Sequence, residues 1–232
     1  MTQLYLIRHG ESVASAGNTF YGARDGGLTP RGVSQVERLR DRLLASGEIG
    51  AGVLIASTMQ RAWQTATLLA PVWRLPILED DAFHEIRPGE AEGLTRDEVV
   101  ARFGPIDRYR DPGRAAAPGG EAPVQVTDRI VGALERTIDA YPGKTVVVVC
   151  HGGVVAASFL YFFGMDRVAC NDGNVLYPRP DFREWLGRPW TPGFAAENAS
   201  LTHWRIAPPL AGASRPRWQL VTFNDAAHLR NS

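Results

Sequence analysis

Two short apolar runs of the chain lead into the same polar pair, a histidine followed by a glycine. Leu4–Ile7 runs into Arg8-His9-Gly10, and Val146–Val149 runs into Cys150-His151-Gly152. Apolar runs of this length, bounded by glycine, are typical of buried strands. Ligands of open α/β sheets bind outside the carboxyl ends of parallel strands. We therefore expect His9 and His151 to meet at one edge of a sheet, although they lie far apart in the sequence.

Short apolar runs alternate with helical patterns along most of the chain. Thr29 and Pro30 are typical of a helix start, and Gly47 and Pro71 of helix ends. Thr95-Arg96-Asp97-Glu98 is a capping box that begins another helix. This alternation predicts an α/β layered fold with a mostly parallel sheet, whose last two strands pair antiparallel at one edge. The predicted strands are 4–7, 53–56, 75–78, 145–150, 201–207 and 217–223, and the predicted helices are 30–46, 61–69, 96–103, 122–141 and 154–163.

The composition argues against several partner classes. Lys plus Arg and Asp plus Glu both number 25, so the formal net charge is zero. Neither nucleic acid nor an anionic membrane surface is therefore expected as a partner. The two cysteines, Cys150 and Cys170, can form no disulfide framework and have no metal-binding spacing. The N-terminus lacks the pattern of a signal peptide, and no apolar run of about 20 residues could span a membrane, so a cytoplasmic location is expected.

Cationic and nucleophilic side chains follow the predicted strands. Arg8 carries a fork of donors that suits phosphate, and a neutral His9 would have one ring nitrogen free to attack. Ser57 closes the second strand and can cap the next helix, which contains Arg61 one turn later. The N-terminus of such a helix also attracts anions. Together with His151, these residues predict a pocket for a dianionic phosphoryl group.

An ordered set of motifs in this sequence resembles the histidine phosphatase superfamily, the phosphoglycerate-mutase-like group whose signature is Arg-His-Gly. The motifs cover nearly the whole chain in the family's order, and the set is far more specific than any one motif. In chain order they are Arg8-His9-Gly10-Glu11-Ser12, Leu28-Thr29-x-x-Gly32-x-x-Gln35, Ser57-x-x-x-Arg61-Ala62-x-x-Thr65-Ala66, Glu85-x-x-x-Gly89-x-x-Glu92-Gly93, Gly119-Gly120-Glu121, Cys150-His151-Gly152-Gly153, Asn198 and Asn224-x-x-x-His228-Leu229.

The resemblance implies a three-layer αβα sandwich of the phosphoglycerate-mutase-like type. It implies a single domain over 1–232, with insertions around 86–121 and 165–196. The catalytic residues carried over are His9, Glu85 and His151, and the phosphate-binding residues include Arg8 and Arg61. His9 would be the nucleophile that becomes phosphorylated, His151 would join the two arginines on the phosphoryl oxygens, and Glu85 would donate a proton to the leaving oxygen. A bound phosphate dianion would favour the protonated carboxyl that this last role needs.

One position departs from the family's pattern. The family often has Asn, as a phosphate ligand, seven positions after the signature arginine, where this chain has Ser15. Ser15 can still donate one hydrogen bond, and Asn18 could replace the function. The sequence leaves both residues open as the additional phosphate ligand.

The substrate would be recognised by loops around this pocket. The loop at 18–24 and the stretch 86–121 are the first candidates, and the irregular stretch 164–196 is another. The candidate substrate-binding residues are Asn18, Tyr21, Arg24 and Arg87.

The leading interpretation is a phosphatase that hydrolyses a small phosphorylated metabolite through a phosphohistidine, without a metal or other cofactor. The alternative within the same family is a cofactor-dependent phosphoglycerate mutase. Mutases of this family typically have Glu-Arg-x-x-Gly in the acid-bearing segment. This chain has Glu85-Ile86-Arg87-Pro88-Gly89, with the arginine shifted by one place, which favours the phosphatase.

Two interpretations come from other classes. A metal-dependent hydrolase site could be built from His9, His84, Glu85 and His151, but their spacing matches no zinc motif. A non-catalytic phospholigand-binding domain is the other, and the intact set of histidines, arginines and Glu85 argues against it. The expected partner is a small phosphorylated substrate, and a homodimer is kept open as the assembly.

Overall fold

A computed structural model describes residues 1–17, 19–20, 26–105, 111, 113–162, 168–170, 173–175, 196–207 and 217–230. The strands in these residues are β1 (Thr2–Arg8), β2 (Val53–Ala56), β3 (Ile77–Glu79), β4 (Thr145–Cys150), β5 (Val168–Cys170), β6 (Gly173–Val175), β7 (Leu201–Ala207) and β8 (Arg217–Asp225). The α-helices are α1 (Val13–Ala16), α2 (Pro30–Ser46), α3 (Gln60–Trp73), α4 (Arg96–Phe103), α5 (Pro123–Ala140) and α6 (Gly152–Phe162). Short 3₁₀ helices lie at Asp81–Phe83, Gly89–Ala91 and Ala227–Leu229.

The central sheet has the strand order β3-β2-β4-β1-β7-β8 within the described residues. The first four strands are parallel, whereas β7 is antiparallel to β1 and β8 is antiparallel to β7. The mostly parallel sheet and the antiparallel edge predicted from the sequence are both confirmed. In the register of β1 with β4, Arg8 faces Cys150. The two His-Gly sequences therefore leave neighbouring strands at the same edge of the sheet.

Helices cover both faces of this sheet, which confirms the three-layer αβα arrangement. Successive residues of β4 alternate between two cores, because side chains of a strand point to opposite faces. Val147 and Val149 pack with residues of α2 and α3, including Val36 and Leu69. The other core contains Val146, Val148 and Cys150 together with Ile130 and Leu134 of α5 and Val154 and Phe159 of α6. A strand that is buried on both faces reads as a continuous apolar run, as β4 does.

The sequence signals at the helix ends act as predicted for α2 and α4. Thr29 is the N-cap of α2 and accepts a hydrogen bond from the Gly32 amide at 3.0 Å, while Gly47 ends the helix in the left-handed region. The Thr95 and Glu98 side chains form the predicted capping box of α4.

Other local predictions are wrong. Helix α3 does not stop at Pro71 but continues to Trp73, and Arg74 closes it with its amide bonded to Ala70 at 2.9 Å. A proline in the last turn removes only one backbone hydrogen bond, so the helix passes it. Helix α1, which lies soon after Gly10, is absent from the predicted helices. In the stretch 164–196, predicted as irregular, β5 and β6 form an antiparallel pair, and most of the remainder lies outside the described residues.

Candidate active site

His9 and His151 follow β1 and β4 and lie side by side. Their ring centroids are 5.1 Å apart, with an angle of 60° between the rings. The His9 amide donates to the Cys150 carbonyl at 3.0 Å, which continues the β1–β4 pairing into the site. Both histidines are buried. The sheet therefore brings together the two residues that the sequence placed at one edge.

The hydrogen bonds of the His9 ring define its tautomer. Nδ1 lies 2.7 Å from the Gly10 carbonyl oxygen, and Arg61 Nε donates to Nε2 at 3.1 Å. A carbonyl can only accept, so we assign the ring proton to Nδ1. The lone pair is then on Nε2, the nitrogen that faces the guanidinium.

The main chain of His9 is also fixed. Its carbonyl oxygen accepts two hydrogen bonds, from the Ala199 amide and from Asn198 Nδ2, both at 3.1 Å. Asn198 and Ala199 belong to the segment that leads into β7. The antiparallel edge of the sheet therefore fixes the main chain of His9. In the sequence, Asn198 was only one of the family's motifs. In the structure its side chain holds the His9 carbonyl.

Burial lowers the pKa of His9 well below its usual value, and the nearby guanidiniums of Arg61 and Arg8 act in the same direction. The hydrogen bond to Gly10 opposes this shift, because a protonated ring is the better donor. The net result is a neutral imidazole at neutral pH. A neutral ring with its lone pair on Nε2 is the form that can act as a nucleophile.

His151 is held by a serine at the end of β2. Its Nε2 lies 2.9 Å from Ser57 Oγ, and burial lowers its pKa well below the usual value. The sequence predicted Ser57 as a cap of the next helix, but the N-cap of α3 is Met59, and Ser57 Oγ accepts its amide only at 3.3 Å. The hydroxyl that could have capped the helix is engaged by His151 instead.

The two arginines of the predicted pocket reach the site from different elements. Arg61 lies in the first turn of α3 and is buried against His9. Arg8 ends β1, and its Nη1 donates to the Ala196 carbonyl. Among the described residues, the buried Arg8 Nε and His151 Nδ1 have no hydrogen-bond partner. Buried polar atoms are normally satisfied, so these two atoms are available to an oxygen-rich ligand.

The Glu85 carboxylate is bound at the N-terminus of α6, the helix that begins directly after His151. Its Oε2 accepts the Gly153 amide at 3.0 Å, and its Oε1 accepts the Ile86 amide at 3.1 Å. Helix N-termini favour carboxylates, because their first amides have no partner within the helix. A Cβ at Gly153 would overlap the carboxylate and lie 3.0 Å from Cδ. The second glycine after His151 therefore leaves the space in which the Glu85 carboxylate lies.

Most of these groups line one cavity of about 170 Å³, whereas His151, which is fully buried beside His9, is not among its lining residues. The predicted site residues among its lining are Arg8, His9, Ser15, Arg61 and Glu85, and the others are Ser12, Ala14, Thr19, Phe20, Ile86 and Pro88. A nucleophilic nitrogen, two guanidiniums and a carboxyl group thus face the same small space. This combination suits a dianionic group that accepts a nucleophile and loses an alkoxide.

Ser15, the replacement for the expected asparagine, lines the cavity but is engaged locally. Its Oγ accepts the Ser12 amide at 2.8 Å and donates to the Ser12 carbonyl at 3.0 Å. The first of these bonds is half of the capping box of α1, whose other half is the Ser15 amide donating to Ser12 Oγ at 3.2 Å. A bond from Ser15 to a ligand would have to replace the one to Ser12.

Of the candidate substrate-binding residues, the structure describes Arg87 alone. Asn18, Tyr21 and Arg24 lie outside the described residues. Arg87 is exposed and does not line the cavity, because the segment turns after Glu85 and places the neighbouring Ile86 there instead. His84, which the sequence offered only for the metal-hydrolase interpretation, has its Nε2 2.6 Å from Thr58 Oγ1.

Sequence reasoning missed several lining residues and one supporting residue. Thr19, Phe20 and Pro88 lie in irregular segments, where no periodicity marks a buried position. Arg129, on α5, contacts the segment that carries Glu85, and its position on an amphipathic helix resembles that of any solvated charge.

No group of three or more His, Cys, Asp or Glu side chains in the described part of the chain is placed to hold a metal ion. Among the same residues, every helix is too short or too polar to cross a membrane.

Comparison with known proteins gives the family. A family model described as the histidine phosphatase superfamily (branch 1) matches residues 4–176. The chain belongs to the histidine phosphatase superfamily. The resemblance drawn from the motifs is thereby confirmed.

Relatives of the chain within this superfamily have two kinds of name. The uncharacterized phosphatase PhoE of Bacillus subtilis is 30% identical over 166 residues, which are 72% of this chain and 80% of PhoE. A 2,3-bisphosphoglycerate-dependent phosphoglycerate mutase of Methylobacterium radiotolerans is 31% identical over 179 residues, 74% of this chain and 84% of the mutase. The solved structure of YhfR of Bacillus stearothermophilus matches with a TM-score of 0.71 at 26% identity, over 99% of this chain and all of YhfR.

Proposed function

We propose that this histidine phosphatase hydrolyses a small phosphorylated metabolite through a phosphohistidine intermediate on His9. The observation that carries the proposal is the state of the His9 ring. It is buried and neutral, its proton is directed to Gly10, and its lone pair on Nε2 accepts a hydrogen bond from Arg61. His9 lines the same cavity as Arg8, Arg61 and Glu85.

In the first step, His9 Nε2 attacks the phosphorus of the bound monoester. The bond from phosphorus to the ester oxygen breaks, and Glu85 gives its proton to the leaving alkoxide. The Arg61 Nε–H, which donates to Nε2 in this structure, turns to a phosphoryl oxygen as the lone pair is used. Donors from Arg8, Arg61 and His151 stabilise the charge on the equatorial oxygens.

In the second step, a water molecule attacks the phosphorus of phosphohistidine. Glu85, now a carboxylate, takes a proton from that water, and the phosphorus–nitrogen bond breaks. Inorganic phosphate leaves, and His9 returns to the neutral form with its proton on Nδ1. Glu85 is again protonated, so the cycle closes without net proton transfer to the protein.

A phosphoglycerate mutase is the second candidate, because one of the relatives carries that name at 31% identity. The two functions share the phosphohistidine and differ in the group that accepts the phosphoryl. Water accepts it in the phosphatase, and a hydroxyl of a phosphoglycerate accepts it in the mutase. The position of Arg87, one place later than the family's mutase pattern and exposed, favours the phosphatase.

A screen of phosphorylated metabolites, scored by release of inorganic phosphate, tests the proposal. The purified chain should release phosphate from a subset of alkyl phosphates, and His9→Ala should release none. A parallel reaction supplies 3-phosphoglycerate with catalytic 2,3-bisphosphoglycerate and measures 2-phosphoglycerate. Interconversion that is much faster than phosphate release would make the chain a mutase.

A further inference from the structure

A partly buried ion pair is bonded to the segment that carries Glu85. Arg129 of α5 contacts Glu121 with a two-point fork, Nε to Oε1 at 2.9 Å and Nη2 to Oε2 at 2.7 Å. The two side chains are only 16% and 15% exposed. Although burial acts to raise it, the pKa of Glu121 is lowered by the hydrogen bonds from Arg129 and from the Arg87 amide. The pair is therefore ionised at neutral pH.

The rest of the Arg129 guanidinium is bonded to the backbone of the acid-bearing segment. Nη1 donates to the carbonyl oxygens of Ala82 at 2.9 Å and His84 at 3.0 Å, and Nη2 lies 3.5 Å from that of Glu85. A planar guanidinium can hold several acceptors in fixed directions, which an ammonium group cannot.

Glu121 holds the same segment on the other side of Glu85. Its Oε2 accepts the Arg87 amide at 2.9 Å, and its own amide donates to the Arg87 carbonyl at 2.8 Å. Close to this point Gly89, in the left-handed region, lies so near the Gly120 backbone that a Cβ would overlap it. The segment 82–87 is thus bonded to one ion pair on both sides of Glu85.

We infer that Arg129 and Glu121 are positioning residues for Glu85. Neither lines the cavity. They hold the backbone of 82–87 so that the Glu85 carboxyl group reaches both the Gly153 amide and the cavity. The inference rests on the proposed function, in which Glu85 is the general acid.

The inference is tested with two substrates that differ in their need for an acid. Glycerol 3-phosphate has a basic leaving oxygen, whereas p-nitrophenyl phosphate leaves as a stable anion. Arg129→Lys keeps the charge but loses the fork. The quantity compared is kcat/KM, which includes formation of the phosphohistidine but not the later attack of water, in which Glu85 acts as a base for both substrates. Arg129→Lys should lower kcat/KM on glycerol 3-phosphate by about 10- to 100-fold, because misplacement by about 1 Å can cost 10²-fold. The loss on p-nitrophenyl phosphate should be much smaller, because its leaving group needs no proton.

The matched control is Arg42→Lys. Arg42 also makes a fork, to Glu48 at 2.7 and 3.0 Å, and a further bond to Asp225 at 2.7 Å. None of these three residues lines the cavity. This control should lose little activity on either substrate, so it measures the general cost of replacing a partly buried, fork-bonded guanidinium.

A double variant separates positioning from a general structural role. If Arg129 acts through Glu85, Arg129→Lys costs nothing further on glycerol 3-phosphate once Glu85→Gln is present. Losses that multiply in the double variant, or equal losses on the two substrates, would overturn the inference. If Glu85→Gln itself loses kcat/KM equally on both substrates, the acid role in the proposed function is wrong. The inference about Arg129 and Glu121 is then wrong as well.

Hydrogen exchange provides a readout that does not depend on catalysis and that also serves if Arg129→Lys is poorly active. Glu121→Gln and Arg129→Lys should both speed amide exchange in 85–87, where the Arg87 amide is bonded to Glu121. Exchange in β4 should stay as in the wild type. Unchanged exchange in 85–87 for both variants would contradict the inference.

Discussion

Gly153→Ala is expected to disable the acid and leave the fold intact. Gly153 has ordinary helical backbone, so alanine suits its conformation. The new Cβ, however, would overlap the Glu85 carboxylate and lie 3.0 Å from its Cδ. Ordinary contact between carbons is about 3.5–4.0 Å, so the carboxyl group must retreat by about 0.5–1 Å. The atoms that must move are at the free end of a side chain, and the core need not rearrange.

The expected size of the effect follows from this displacement. A shift of about 1 Å at a catalytic group can cost about 10²-fold in rate. Glu85 would also lose its hydrogen bond from the Gly153 amide, now 3.0 Å long. We expect kcat/KM, which reports formation of the phosphohistidine, to fall by about 10²-fold on an alkyl phosphate and much less on p-nitrophenyl phosphate.

The neighbouring glycine is the matched control. At Gly152 the nearest atom to a new Cβ is Arg8 Nε at 3.7 Å, which is ordinary contact. Gly152→Ala should therefore keep most of the activity on both substrates, with a melting temperature similar to that of Gly153→Ala. Wild-type turnover of the alkyl phosphate by Gly153→Ala, or equal losses in the two variants, would refute this reasoning.

Three further predictions follow from the same geometry. Glu85→Gln should lower kcat/KM by about 10²–10⁴-fold on an alkyl phosphate and far less on p-nitrophenyl phosphate, while Glu90→Gln, an exposed control, should lose little on either. Burial keeps the His9 ring neutral in the native state, whereas the unfolded chain protonates it near pH 6.5. Below that pH the unfolded state binds more protons, so the free energy of unfolding falls as the pH drops. In phosphate-free buffer, His9→Asn should reduce the slope of the unfolding free energy against pH by up to about 1.4 kcal/mol per pH unit between pH 5 and 6.5, measured by urea titration, and an unchanged slope would contradict the buried neutral ring. Activity should survive exhaustive EDTA treatment, since the cations of the site are arginines, and loss that Mg²⁺ or Zn²⁺ restores would assign the chain to another class of hydrolase.

The sheet edge was predictable because it depends on strand ends that the sequence marks clearly. β1 and β4 are continuous apolar runs, and each is followed at once by His-Gly. Parallel pairing of these two strands is enough to bring His9 and His151 together, whatever the intervening helices do. Arg61 was predictable for a similar reason, since the first turn of α3 follows directly from the end of β2.

The support of the site was not predictable, because it depends on pairs that only the tertiary structure brings together. Arg129 reaches Ala82 and His84 from a helix whose sequence shows only amphipathic spacing. Whether Ser57 caps α3 or binds His151 depends on the position of β4, which comes much later in the chain. Pro71 shows a different limit: proline disfavours helix, but its cost in a final turn is small enough for the helix to continue.

The central claim is that His9 is the residue that carries the phosphoryl group. It is tested most directly by mixing the chain with a ³²P-labelled alkyl phosphate for milliseconds, quenching in base and mapping the labelled peptide by mass spectrometry. The account predicts an acid-labile, base-stable label on His9, absent from His9→Ala and longer-lived in Glu85→Gln when p-nitrophenyl phosphate is the donor. A label on Ser12, Cys150 or His151 would contradict it.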